Sequence, residues 1–170
     1  MVLFKETQKF NSPWLWLILC GLLALRITGK LVALSQSSIA EVFSLFVQDI
    51  GLWMLLLVIV FIGISKLKTE ITDTGIQLSF FPLLGQRTYR WDELSAVYIR
   101  KYTISEFGGW GWRRSYGKNW AYTTSGKHGL QLIFKNGKKV LVGTHQVESL
   151  QELKFENYLG KPTEKEILSK

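Results

Sequence analysis

The stretch EFGGWGWRRSYG, residues 106–117, sets Arg113 and Arg114 directly behind Trp110 and Trp112, with Lys118 just beyond. Indole rings settle at boundaries between apolar and wet surroundings, and guanidinium groups bind phosphate or carboxylate in a planar fork. Together these five residues suit a surface that touches anionic headgroups or a partner protein. A plainer reading fits the same residues. Gly108, Gly109 and Gly111 permit a bulge or sharp bend, and the tryptophans could simply cover a β-sheet beside solvated arginines. Trp110 and Trp112 have the spacing to share one strand face, with Arg113 on the other. The sequence leaves both readings open.

Catalytic chemistry finds little support. The nearest set is Asp92, Glu93 and Glu106 with His128, and no nucleophile stands at recognisable spacing from a base. Asp92 and Glu93 are explained by a short turn after Trp91. His128 and His145 lie in turn-like contexts, where histidines are usually solvated. The single cysteine, Cys20, allows no disulfide within the chain and belongs to no Cys/His metal motif. No catalytic residue, metal or cofactor is expected. Charge points elsewhere. Residues 87–139 hold eleven Lys or Arg against three acids. That excess suits an anionic membrane leaflet, and it suits general solubility equally well. Nucleic acid also matches the charge, but no RNP, zinc-finger or helix-turn-helix pattern accompanies it, so no nucleic-acid partner is expected.

Two uncharged apolar runs must anchor whatever carries this surface. Residues 14–25 read WLWLILCGLLAL and residues 50–64 read IGLWMLLLVIVFIGI. The second reaches the ~20 residues of a spanning helix with help from Phe46, Val47 and Leu67. The first does so only by including Arg26 and Lys30, whose long stems can carry charge to the interface. A signal peptide is the rival for this run, but no small-x-small cleavage site follows Leu25. Trp14, Trp16 and Trp53 stand near the run starts, as in an aromatic belt. Lys5 and Lys9 precede the first run, Lys66 and Lys68 follow the second, and residues 35–49 carry no Lys or Arg. This puts both termini in the cytoplasm of an inner-membrane protein, with Arg26 and Lys30 counting against it. SIAE, residues 38–41, predicts a capping box on Ser38, so the second helix begins near Ile39.

From about residue 66 the pattern becomes short β-like segments. TDTG is a tight turn between the first two. Asn136-Gly137 predicts a two-residue hairpin, with Leu130, Leu132, Phe134 and Leu141 on one face and Ile133, Val140 and Val142 on the other. An amphipathic helix through Val147, Leu150 and Leu153 follows, and residues 161–170 read as a loose tail.

The segments TDTGIQLSFFP, RWDELSAVYIRKY, EFGGWGWR and SGKHGLQLIFKNGKKVLVGT, with the last helix, resemble the bacterial pleckstrin-homology-like domains that follow paired membrane helices. The resemblance covers roughly residues 61–159. It implies a bent barrel of about seven strands capped by a C-terminal helix. Trp112 departs from it, since such relatives usually carry an aliphatic residue there. The phosphoinositide site of eukaryotic relatives is not supported, because the first hairpin turn is the acidic TDTG.

The expected architecture is therefore a helical hairpin of two transmembrane helices, residues 13–34 and 49–67. A short cytoplasmic segment (1–12) precedes it and an external connector (35–48) joins its legs. An all-β domain, residues 68–160, follows. The expected function is a non-catalytic, integral membrane protein that presents a basic domain to anionic lipid or protein. The alternative is a subunit or regulator of a larger membrane complex, with Arg26 and Lys30 pairing to acids of another chain. The oligomeric state is left open.

Overall fold

The computed structural model describes residues 1–34, 38–114 and 119–159. Among them the elements run β1 (Val2–Lys9), α1 (Pro13–Leu34), α2 (Ile39–Val47), α3 (Ile50–Ile64), β2 (Lys66–Thr72), β3 (Gly75–Phe81), β4 (Leu84–Arg90), β5 (Leu94–Lys101), β6 (Gly111–Arg114), β7 (Asn119–Thr123), β8 (His128–Phe134), β9 (Lys139–Thr144) and α4 (Val147–Gln151). The chain divides into two compact units. Residues Met1–Phe10 join the chain from Ser65 onward in a β unit, and Asn11–Ile64 form a helical unit.

The β unit holds two sheets, ordered β1-β2-β3-β4 and β5-β8-β9-β7-β6. All pairings are antiparallel except β7 with β9. Alternate residues of both sheets point into one core. Phe4, Leu67, Ile71, Ile76, Leu78 and Phe80 come from the first sheet; Val97, Tyr122, Leu130, Leu132, Val140 and Val142 come from the second. Each such side chain contributes about 1.5–3 kcal/mol through burial. Trp91, in the short turn between the sheets, donates its indole N–H to Thr72 O at 2.9 Å and stacks on Tyr158.

β1 lies before the helices yet belongs to this unit. It pairs with β2 from Val2↔Thr72 to Lys9↔Lys66. Phe4, Glu6 and Gln8 are buried, while Lys5, Thr7 and Lys9 face out. The Glu6 carboxylate accepts from Thr144 Oγ1 and from the His145 backbone N–H, both at 2.8 Å. Gln8 donates to Gly143 O at 2.6 Å and accepts from Thr124 Oγ1 at 2.9 Å. Burying a carboxylate is tolerable because both its oxygens receive donors. These bonds tie the first strand to the second sheet.

The expected fold requires correction. Among the described residues one helix, over Pro13–Val32, is long and apolar enough to cross a bilayer, not two. The second apolar stretch is broken into α2 and α3, and the 15 residues of α3 rise only about 22 Å, short of the ~30 Å hydrocarbon core. Asp49 makes the break, because its Oδ1 accepts from Leu52 N at 3.0 Å and starts a new helix. The β part is not one continuous domain after the helices, since residues 1–12 contain β1. It forms two sheets with a parallel pair rather than a single capped barrel, and α4 has five residues. The Ser38–Glu41 capping box is present. The tail over 161–170 lies outside the described residues.

The β8–β9 hairpin also differs from expectation. Gly137 N donates to Phe134 O, and Phe134 N donates to Lys138 O, so the loop is Lys135-Asn136-Gly137. Positive φ falls on Gly137 (80°), and among the described residues no non-glycine has it. A three-residue loop shifts the register by one against a two-residue loop. Leu132 therefore faces Val140, and Leu141 joins Gln131 on the other face. Replacing Gly137 by Val is expected to destabilise the β unit by about 1 kcal/mol or more, from left-handed strain. Thermal melts of the two chains measure it, and equal melts would contradict this loop geometry.

Candidate functional site

At one end of the first sheet, the chain leaves for the helical unit after Phe10 and returns at Ser65. The register there sets Lys9 beside Lys66, and Lys66 beside Phe81. In the next row Thr7, Lys68 and Ser79 adjoin. Because Gln8, Leu67 and Phe80 point to the core, Lys9, Lys66, Lys68 and Phe81 share the outer face. The β3–β4 connection closes this same end. Phe81 is 55% exposed and Leu83 is 43% exposed, with Pro82 between them. Farther along, Lys5 is neutralised by Glu70 at 3.4 Å. Among the described residues no acid lies within ion-pair distance of Lys9, Lys66 or Lys68. The result is a rim with three ammonium groups around exposed apolar side chains, at the point where the chain enters its most apolar segment.

This rim differs from the surface read in the sequence. Trp110 lies in the bend before β6, so it does not share a strand face with Trp112. Gly108, Gly109 and Gly111 take φ of 67°, 128° and 104° there, which makes the segment a true bend. Trp112 stacks on Trp120 at 5.6 Å, and both pack against the core edge. Arg114 shares their face and lies 5.4 Å from the Trp120 ring centre. Arg113 is on the opposite face, donating Nε to Trp110 O at 3.0 Å. The indole N–H groups of Trp110 and Trp112 are buried and without an acceptor among the described residues. Lys118 lies outside the described residues.

The acids weighed for catalysis are dispersed. Asp92 pairs with Arg90 at 2.8 Å. Glu106 grips Arg100 with both oxygens, Nη1 at 3.0 Å from Oε2, and Arg100 Nε donates to Gln131 at 2.9 Å. Hydrogen bonding to Glu106 raises the pKa of Arg100, so this guanidinium stays charged. The pair lines a shallow groove of about 210 Å³ with Tyr98, Asn119 and Lys139. His128 opens β8, opposite Thr144. One contact has no sequence signal, since its members are twenty residues apart: Ser125 Oγ lies 2.9 Å from His145 Nε2. Both are at the surface, and the nearby Glu6 carboxylate engages the His145 backbone rather than its ring.

No family model, curated protein or solved structure matches this chain.

Proposed function

We propose that this chain is a non-catalytic membrane protein whose β unit is held against an anionic lipid surface, with Lys9, Lys66, Lys68, Phe81 and Leu83 as the contact. One observation carries the reading: the β unit gives way, between the paired residues Lys9 and Lys66, to helices that are apolar on nearly every side. Leu17, Ile18, Leu22 and Leu25 of α1 and Met54, Leu57 and Val60 of α3 are exposed. Surfaces of that kind are suited to lipid rather than water. Each lysine near an anionic leaflet adds about 1 kcal/mol of attraction, and exposed Phe81 and Leu83 can enter the headgroup boundary. Because β1 and β2 pair, both ends of the helical unit belong on one side of the membrane. The flanking lysines favour the cytoplasmic side.

The alternative, a subunit recruited through Arg26 and Lys30, loses support from Lys30, whose ammonium is engaged by Asp49 and Leu45 O of the same chain. Both cations lie within ion-pair distance of Asp49 in the same chain. The test is fractionation with reporter fusions. The full chain is expected to stay with membranes through alkaline carbonate. Fluorescent fusions at either terminus should glow, and an export-dependent phosphatase at the C-terminus should be silent. Release by carbonate would sink the membrane reading, and an active phosphatase would reverse its orientation.

A further inference from the structure

Arg26 and Lys30 are the only Lys or Arg between residues 10 and 65. They stand one turn apart on α1, and both reach Asp49 at the α2–α3 break. Their situations differ. Lys30 Nζ lies 3.1 Å from Asp49 Oδ2, donates to Leu45 O at 2.7 Å, and sits 5.0 Å from the Phe46 ring centre. Its side chain is only 12% exposed, so this ammonium is fully engaged. Arg26 Nη1 is 3.5 Å from Asp49 Oδ1, long for a charge-assisted bond, and its side chain is 54% exposed. Gly51 leaves room for it, because a Cβ there would meet Arg26 Nη2 at 3.0 Å. One carboxylate thus serves two cations, and the surplus charge sits on the exposed guanidinium.

Its level along the helices is informative. Arg26 stands about 20 Å along α1 from Pro13, and α3 rises about 22 Å from its far end at Ile64 to its start beside Asp49. Both helices are therefore apolar for about the same length, from the end joined to the β unit up to these charges. Trp14 and Trp16 stand at the first level. Trp53 stands at the second, its indole donating to Val47 O at 3.3 Å. An apolar band thinner than the bilayer draws headgroups toward its ends, and an arginine there extends its fork outward. We propose that Arg26, steadied by Asp49 and given space by Gly51, binds the headgroup phosphate of a phospholipid. This rests on the membrane reading above. A planar guanidinium with open donors suits a bidentate phosphate contact, which lysine cannot reproduce.

The test uses full-length chain in detergent, with K9Q/K66Q/K68Q as background so that rim lipid does not mask the signal. Native mass spectrometry counts retained dioleoylphosphatidylglycerol, with dioleoylglycerol as the phosphate-free control and inorganic phosphate as competitor. One phosphatidylglycerol per chain should be retained. Arg26→Gln should weaken it about tenfold, the loss of one charge-assisted contact, and Arg26→Lys should restore only part. Equal retention in Arg26→Gln would overturn the site. Equal retention of dioleoylglycerol would show that the tails alone bind and would also overturn it. Displacement by millimolar phosphate would make it a site for the free anion instead of a lipid. Carbonate release of the unaltered chain would show separately that the membrane reading itself had failed.

Discussion

A fragment of residues 66–170 is expected not to fold, whereas the same residues with Met1–Phe10 joined ahead of Ser65 by a short Gly/Asn turn should fold as a soluble unit. Without β1, Thr144 Oγ1, Thr124 Oγ1, Gly143 O and the His145 N–H lose their partners on Glu6 and Gln8. Phe4 leaves the core, and β2 becomes an open edge. Four bonds at about 1 kcal/mol each, plus about 2 kcal/mol for Phe4, approach the whole stability of a small domain. Joining Phe10 to Ser65 loses none of these, because Lys9 and Lys66 are already paired. Circular dichroism melts of both chains decide it. A cooperative transition in the 66–170 fragment at the temperature of the joined chain would show that β1 is dispensable.

That prediction also marks what the sequence could and could not reveal. Short strands bounded by turn residues were legible, and so was the Ser38–Glu41 box, because these are local signals. β1 was not. Its inward face carries Glu6 and Gln8, so the alternation of Phe4-Glu6-Gln8 reads as polar on both sides. Only distant partners in β9 and just beyond the ends of β7 and β9 make those positions acceptable inside. The hairpin faces failed for a smaller reason. Asn-Gly suits two loop lengths, and one residue of difference inverts every side chain beyond the turn. The second apolar stretch looked continuous because composition cannot register a helix start at Asp49.

The candidate rim was present in the sequence in pieces. Lys9, Lys66 and Lys68 were read as orientation signals, and Phe81 as part of a strand. Their gathering depends on the β1–β2 register, which joins residues more than fifty positions apart, and on the β2–β3 register beside it. The more conspicuous Trp-Arg segment drew notice through composition. In the fold, Trp112 and Trp120 stack at the core edge and Arg113 bonds back to the Trp110 carbonyl.

The second large effect belongs to the rim. In the joined β unit, once its melt shows it folded, K9Q/K66Q/K68Q should weaken binding to vesicles rich in phosphatidylglycerol. Three lysines at about 1 kcal/mol each give a loss of roughly a hundredfold. The difference should shrink as salt rises, since the Debye length falls to about 3 Å at 1 M. Stability should change little, because none of the three belongs to a short ion pair among the described residues. Arg113→Gln with Arg114→Gln is the matched control, removing two charges from the other sheet. Co-sedimentation of these variants with phosphatidylglycerol and phosphatidylcholine vesicles is the most direct measurement. The account predicts that the lysine variant loses binding to the anionic vesicles while the arginine variant keeps it. Retained binding in the lysine variant, with loss in the arginine variant, would contradict it and move the contact to the β6–β7 edge.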